Sequence, residues 1–345
     1  MKAAILKPDQ RQLTITDVEL PQPAPHQVVI QVKACGVCGS DLHLIRHGTM
    51  KPAFYPIIPG HEVSGIVERL GEDCTNFAIG DRVVVAPGTS CGSCHHCLAG
   101  HENLCAQVGV FGFNANGGFA EKMIVDERYL CPLPDSISFE PGAILADAVS
   151  TPYHAIVKQG ELQPGESVAI FGTGGLGLHG VAIAKAVGAE RIIALDINEG
   201  SLERAKAYGA TDTINLSKVK NQGKALKQVA GEIDLLADFS GHSENISESV
   251  RAMKKGGRMI LVGIGRKPLQ FSMPFALIEK LITIKGSYGS DRRALPEIIE
   301  LIVSGRLSIE ASVSSIHPLE EVNDCLIALE ERKGNPVRFV IDPGR

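Results

Sequence analysis

The sequence predicts an α/β protein of two domains: a compact β-barrel-like domain, then a domain built on a doubly wound parallel sheet. Three observations carry this. Residues 1 to about 145 hold short runs rich in valine and isoleucine, broken by Gly and Pro, whereas beyond Asp147 short apolar runs alternate with helix-length stretches. The length of 345 residues exceeds the roughly 250–300 at which a single hydrophobic core stops growing. A glycine-rich turn also follows the first apolar run of the second half and opens a helix.

Composition narrows the class. Hydrophobic residues make up 44% and charged residues 21%, and no apolar run approaches the roughly 20 residues of a membrane span. The start, Met1-Lys2-Ala3-Ala4-Ile5-Leu6-Lys7-Pro8, lacks the apolar core of a secretory signal, so a cytoplasmic location is expected. A net charge of −5 without a basic stripe gives no footprint for nucleic acid or anionic lipid, which leaves small molecules as partners. Nine cysteines, an odd number without an export signal, point to thiolates and metal rather than a disulfide framework.

In the first half, strands are expected at 28–32, 62–67, 81–85 and 119–125, with the cysteines in their loops. Cys91, Cys94, Cys97 and Cys105 are spaced x2, x2 and x7. Four thiolates fill a zinc ion's tetrahedral shell, so this site folds a loop rather than binding substrate. His95 and His96 lie inside it and are expected to be exposed. In the second half, strands at 168–171, 191–196, 234–238 and 258–262 alternate with helical stretches after Gly175, at 199–208 and at 244–253. That alternation implies βαβ units and a parallel sheet. Helices at 294–304 and 319–332 and a strand at 337–341 are expected to return to the first domain.

The turn Gly172-Thr173-Gly174-Gly175-Leu176-Gly177 has the Gly-x-Gly-x-x-Gly pattern, and Asp196 ends the next strand nineteen residues past Gly177. Gly172 would allow the tight turn, Gly174 would let the backbone approach a pyrophosphate, and Gly177 would let helix and strand pack closely. Amides at the helix start, among them those of Gly175 and Leu176, would face the phosphates. A carboxylate at Asp196 accepts ribose hydroxyls and repels a 2′-phosphate, which favours NAD over NADP.

A second set of metal ligands lies in Cys38-Gly39-Ser40-Asp41-Leu42-His43 and Gly60-His61-Glu62. Cys38 and His61 suit zinc, but a catalytic site usually has three protein ligands and an open position, so a third must come from elsewhere. Cys35 forms a Cys-x-x-Cys with Cys38, but the surroundings lack the βαβ context of a redox pair. Cys35, Cys74, Cys131 and Cys325 read instead as small buried hydrophobes.

These motifs, in this order and at these separations, make the chain resemble the zinc-dependent alcohol dehydrogenases of the medium-chain dehydrogenase/reductase family over nearly its whole length. The resemblance implies a GroES-like zinc-binding catalytic domain at 1–148, a Rossmann NAD-binding domain at 149–287, and a return to the catalytic domain at 288–345. It implies two zincs per chain, one structural and one catalytic, and catalysis in the cleft between the domains. Where many members carry a third cysteine ligand this chain has Asp147, and some members have an acid there, so the catalytic set becomes Cys38, His61 and Asp147. Glu62 is expected behind the ion or exchanging with its bound water. The resemblance further implies that Ser40 contacts the substrate oxygen, that His43 receives the proton through the cofactor ribose, and that Asp41 orients His61. Arg338 matches a late arginine that reaches the pyrophosphate, whereas Gly39 stands where some members have another arginine.

The activity implied is reversible hydride transfer between NAD and an alcohol, with a secondary alcohol expected. Polyol or amino-alcohol dehydrogenation, of the sorbitol, butanediol or threonine type, stays open. A zinc-free quinone or enone reductase, or a non-catalytic NAD-binding protein on this scaffold, would not need Cys38, His61, Asp147, Ser40 and His43 together. The aromatic residues at 47–55 and 110–113 are expected near an apolar or ring-bearing substrate. A homodimer or homotetramer is implied by the resemblance, with the strand at 258–263 as the pairing edge.

Overall fold

A computed structural model describes residues 1–265, 267–271 and 274–345. Contacts divide the chain into one unit of Met1–Ser150, Ser290–Val303 and Ile309–Arg345, and a second of Thr151–Gly289 and Ser304–Ser308.

The first unit is organised by the strand Gln27–Val37, whose valine-rich inner face is buried. It pairs antiparallel with Glu62–Leu70 on one side, while Lys122–Asp126 and Arg338–Asp342 share the other. Register shifts at Val29/Ile30 and Val32/Ala34 mark bulges, which bend a strand so that a sheet can curl. The register sets the site. Gly36 faces Glu62, and Val37 faces Phe339, so Cys38, Glu62 and Arg338 emerge at one end of three adjacent strands.

The second unit holds a six-stranded parallel sheet. Its order in space is Asp212–Asn215, Arg191–Asp196, Ser167–Phe171, Ile233–Asp238, Met253–Leu261 and Thr283–Gly286. Counted along the chain this is 3-2-1-4-5-6, the Rossmann order. Ser167–Phe171 is buried along its length, as a central strand covered on both faces requires. The GroES-like and Rossmann-type architecture is thus present.

Several elements differ from the sequence reading. The segment at 258–263 is not an edge: Met253–Leu261 is paired on both sides, and Thr283–Gly286 closes the sheet beyond it. The helix expected at 244–253 ends early, since Ser243–Ser249 passes into a 3-10 turn at Val250–Ala252 and the strand begins at Met253. Likewise 319–332 opens as a 3-10 turn at Leu319–Glu321 before the α-helix Val322–Glu330. The strands Asp212–Asn215 and Thr283–Gly286 and the helices Gln222–Ala230 and Pro274–Lys280 were not anticipated. No described helix is long and apolar enough to cross a membrane.

Candidate active site

In the first unit Cys38, His61, Glu62 and Asp147 offer ligand atoms that all lie within 4.8 Å of one another. Cys38 ends the strand Gln27–Val37, where a one-turn helix at Gly39–Asp41 folds Asp41 back so that its Oδ2 accepts the Cys38 amide at 2.9 Å. His61 precedes the strand Glu62–Leu70. Asp147 lies on a π-helical turn, Leu145–Val149, a wide turn often found at functional sites.

Cys38 Sγ and Asp147 Oδ2 are 3.3 Å apart, and His61 Nε2 is 3.5 Å from the same Oδ2. Ligands held about 2.0–2.3 Å from one zinc in tetrahedral geometry stand about 3.4–3.7 Å apart, so the donor set fits the ion. Electrostatics agree. Burial alone would lower the His61 pKa, yet Asp41, Asp147 and Cys38 together raise it well above the usual value. These neighbours favour positive charge at this place, as a cation site requires. Asp41 Oδ1 and His61 Nδ1, both buried and without a hydrogen bond among the described residues, face each other at 3.6 Å.

Glu62 is fully buried. Its Oε1 accepts the Ala148 amide at 2.8 Å and lies 3.2 Å from Arg338 Nη2, while Oε2 has no hydrogen-bond partner among the described residues. Burial pushes its carboxyl up to about 7 against the pull of Arg338. The Gly36 position accommodates it, since a Cβ there would sit 1.9 Å from Oε2. Arg338 is 3% exposed and donates from Nη1 to Val37 O at 3.3 Å, so its guanidinium stands behind the metal ligands, a place the sequence did not suggest. Ser40 Oγ is 3.8 Å from Cys38 Sγ. His43 lies on a second π-helical turn, Leu42–Arg46, with Nδ1 3.0 Å from Thr49 Oγ1.

The four-cysteine lobe is assembled in the same unit. Cys91, Cys94, Cys97 and Cys105 have sulfurs 3.5–3.8 Å apart where they touch, close to the spacing of about 3.8 Å that a tetrahedral zinc-thiolate requires. Amide bonds from Ser93 and Cys94 lower the Cys91 thiol to about 6. His95 and His96 are exposed, on the short helix His95–Leu98 rather than in a loop. Cys35 is buried and burial raises its pKa well above normal, which makes it unreactive. Cys74 and Cys131 are only half-buried, contrary to expectation: Cys74 lies in the loop after Glu62–Leu70, and Cys131 in Leu130–Pro132 at the end of its sheet.

In the second unit the glycine turn links Ser167–Phe171 to the helix Gly177–Val187. Gly172 has φ +78°, Gly174 has open space where a side chain would be, and a Cβ on Gly177 would lie 1.8 Å from Gly172 O. Gly175 and Leu176 complete the bend, and Leu176 caps the helix. Asp196 Oδ2 accepts the Thr173 amide at 2.7 Å, and Oδ1 accepts that of Asn198 at 2.9 Å. The sequence reading missed Asp238, which binds Ser240, Gly241 and Asn245 and so fixes a loop packed against Gly172.

Comparison with known proteins decides the family. Residues 24–135 match the family described as alcohol dehydrogenase GroES-like domain, and residues 175–304 match the one described as zinc-binding dehydrogenase. The chain belongs to the zinc-type alcohol dehydrogenases. It is 34% identical over 328 residues to an alcohol dehydrogenase of Geobacillus stearothermophilus, covering 94% of each chain. It is 32% identical over 320 residues to a probable D-xylulose reductase A of Aspergillus terreus, covering 90% of this chain and 89% of that one. Among solved structures, alcohol dehydrogenase TADH from Thermus sp. ATN1 superposes with a TM-score of 0.91 at 30% identity, covering 99% of both chains. Within this alcohol dehydrogenase the two metal-ligating clusters are the only such groups among the described residues.

Proposed function

We propose that this alcohol dehydrogenase interconverts a secondary alcohol and its carbonyl compound, with NAD as hydride partner. The observation that carries the reading is the convergence of Cys38 Sγ, His61 Nε2 and Asp147 Oδ2, at 3.3 and 3.5 Å, beside Ser40. When bound, zinc supplies the Lewis acidity that brings an alcohol's pKa towards neutrality, and NAD supplies the hydride acceptor.

The chain's own residues do the rest. Cys38 and Asp147 balance a divalent cation, and Arg338 balances Glu62. Ser40 Oγ accepts a hydrogen bond from the substrate hydroxyl and, as it takes that proton, gives up its own towards His43. His43 passes it on; Thr49 holds the ring at Nδ1, so exchange with solvent runs through Nε2. Asp41 orients the His61 ring. Asp196 retains lone pairs for the ribose hydroxyls after meeting the Thr173 and Asn198 amides, and its charge opposes a 2′-phosphate.

Phe113, buried with its ring 5.8 Å from that of His61, favours an apolar or ring-bearing substrate. A homo-oligomer paired through the edge strand Thr283–Gly286 is part of the reading. Phe275, Ile278, Leu281 and Tyr288 are exposed close by in sequence, and an apolar surface beside an unpaired edge invites a second copy. Thiolate ligation suits a reducing, cytoplasmic setting.

The test is zinc content together with NAD-coupled turnover on three panels: secondary alcohols, polyols and amino alcohols. Two zincs per chain and fastest turnover of an apolar secondary alcohol are expected. Preference for a polyol would move the substrate class to that of the xylulose reductase relatives, and no NAD-dependent turnover on any panel would overturn the reading.

A further inference from the structure

Within the first unit the short segment 290–293 makes polar contacts with the four-cysteine lobe at one end and with the Asp147 turn at the other. The lobe's inner residues grip the segment that opens the helix Ala294–Val303. Arg292 Nε lies 3.0 Å from Glu102 Oε1 and its Nη1 donates to Arg128 O at 2.9 Å. Arg293 donates to Gly100 O, and its guanidinium packs so closely on Gly100 that a Cβ there would meet it at 2.1 Å. Gly100 and Glu102 both lie between Cys97 and Cys105, so their positions depend on the lobe being folded.

Two residues before Arg292, Ser290 Oγ donates to Ser150 Oγ at 2.9 Å, and Ser150 Oγ donates to Ala146 O at 2.5 Å. Ala146 immediately precedes Asp147. On its other side, the Ala148 amide is held by Glu62. A π-helical turn lacks the tight bonding of an α-helix, so these side-chain bonds on both flanks set where the Asp147 carboxylate stands. The helix Ala294–Val303 also packs on the same turn with Leu295 and Ile298 buried. Consecutive hydroxyl bonds strengthen one another, and weakening the first loosens the last.

We propose that the lobe positions Asp147 through Arg292, Arg293 and the Ser290–Ser150 hydrogen bond, so that zinc in the lobe tightens the hold of the second metal centre. The lobe is then more than a local fold element. Coupling of this kind is reciprocal, so zinc at the second centre also tightens the lobe. Ser290 is a positioning residue: it touches no reacting atom.

The inference rests on zinc occupying both sites. It is tested on the full chain loaded with zinc, by following release to a chromogenic chelator. Cobalt-substituted protein assigns each phase, because a one-thiolate and a four-thiolate site absorb differently. Ser290→Ala and the double variant Arg292→Ala/Arg293→Ala are expected to release the one-thiolate metal about tenfold faster while the lobe stays filled, as loss of a supporting contact does elsewhere. Ser290→Thr, which keeps the hydroxyl, is expected to restore the wild-type rate. Release within twofold of wild type in both the Ser290→Ala and the double variant, with the lobe occupied, would overturn the proposal. A wild-type chain holding fewer than two zincs would instead overturn the metal assignment beneath it, and the coupling with it.

Discussion

Arg338 Nη2 lies 3.2 Å from Glu62 Oε1, and both side chains are sealed from water. A charge buried without its partner is costly, whereas a buried pair replaced by neutral groups can be nearly neutral. Arg338→Met is therefore expected to lower stability by about 3–5 kcal/mol in urea unfolding of the zinc-loaded protein. The double variant Arg338→Met/Glu62→Gln should recover part of that loss. A double-variant loss equal to the sum of the two single losses would show that the two charges do not depend on each other.

Asp147 Oδ2 stands 3.3 Å from Cys38 Sγ and 3.5 Å from His61 Nε2, the spacing of side chains that could share one zinc ion. Asp147→Ala is expected to reduce zinc content from two ions to one, leaving the four-cysteine lobe filled and turnover abolished. Asp147→Cys offers a thiolate at the same place and should keep both ions. Elemental analysis decides: two zincs retained in Asp147→Ala would remove Asp147 from the ligand set.

Why were these candidate ligands legible in the sequence, and their supports not? Cys38 and His61 sit in short local patterns, and strand register, Gly36 opposite Glu62, does the rest of the assembly. The supports come from far away. Ser150 and Ser290 are 140 residues apart, and Arg46 and His47 are held by Glu330, 284 and 283 residues further on; serine and glutamate at such separations carry no pattern. The strand Asp212–Asn215 escaped because its four residues contain one apolar side chain, so no alternation exists to read. The mistaken edge at 258–263 has the same origin: Thr283–Gly286, which covers it, is too short and polar to announce itself.

His43 is held at Nδ1 by Thr49. His43→Gln keeps a hydrogen-bonding side chain there but cannot carry a proton, so kcat is expected to fall by up to about 100-fold. Added imidazole buffer should restore part of it, because a free base can then take the proton from the cleft. A variant with wild-type kcat and no response to imidazole would take His43 out of the proton route.

Arg191 forks onto Asp212 at 2.8 and 3.1 Å, tying the edge strand Asp212–Asn215 to its neighbour. The Arg191 bonds hold the Asp212 carboxyl below its usual pKa. A depressed carboxylate stabilises the fold above its unfolded pKa of about 3.9, and this contribution is lost as pH falls through the folded value. Both side chains are partly exposed, so the effect is about 1 kcal/mol or less. Asp212→Asn should lower stability at pH 7 by that amount, and its thermal melts should converge with wild type as pH falls through the depressed folded pKa of Asp212. A constant gap across pH would assign the effect to packing.

Asp196 has two tasks that substitution can separate. It closes the glycine turn through the Thr173 amide, and in the proposed function its charge at the strand's end selects the ribose. Asp196→Asn keeps an oxygen for Thr173 but gives up the charge, so the turn survives while discrimination against a 2′-phosphate is lost. KM for NAD is expected to rise about tenfold, a loss of about 1.4 kcal/mol, while KM for NADP falls. Asp196→Ala gives up both, and should raise KM for each cofactor and also lower the melting temperature. If Asp196→Asn leaves the NAD to NADP preference unchanged, selection lies in other residues and the carboxylate serves the turn alone.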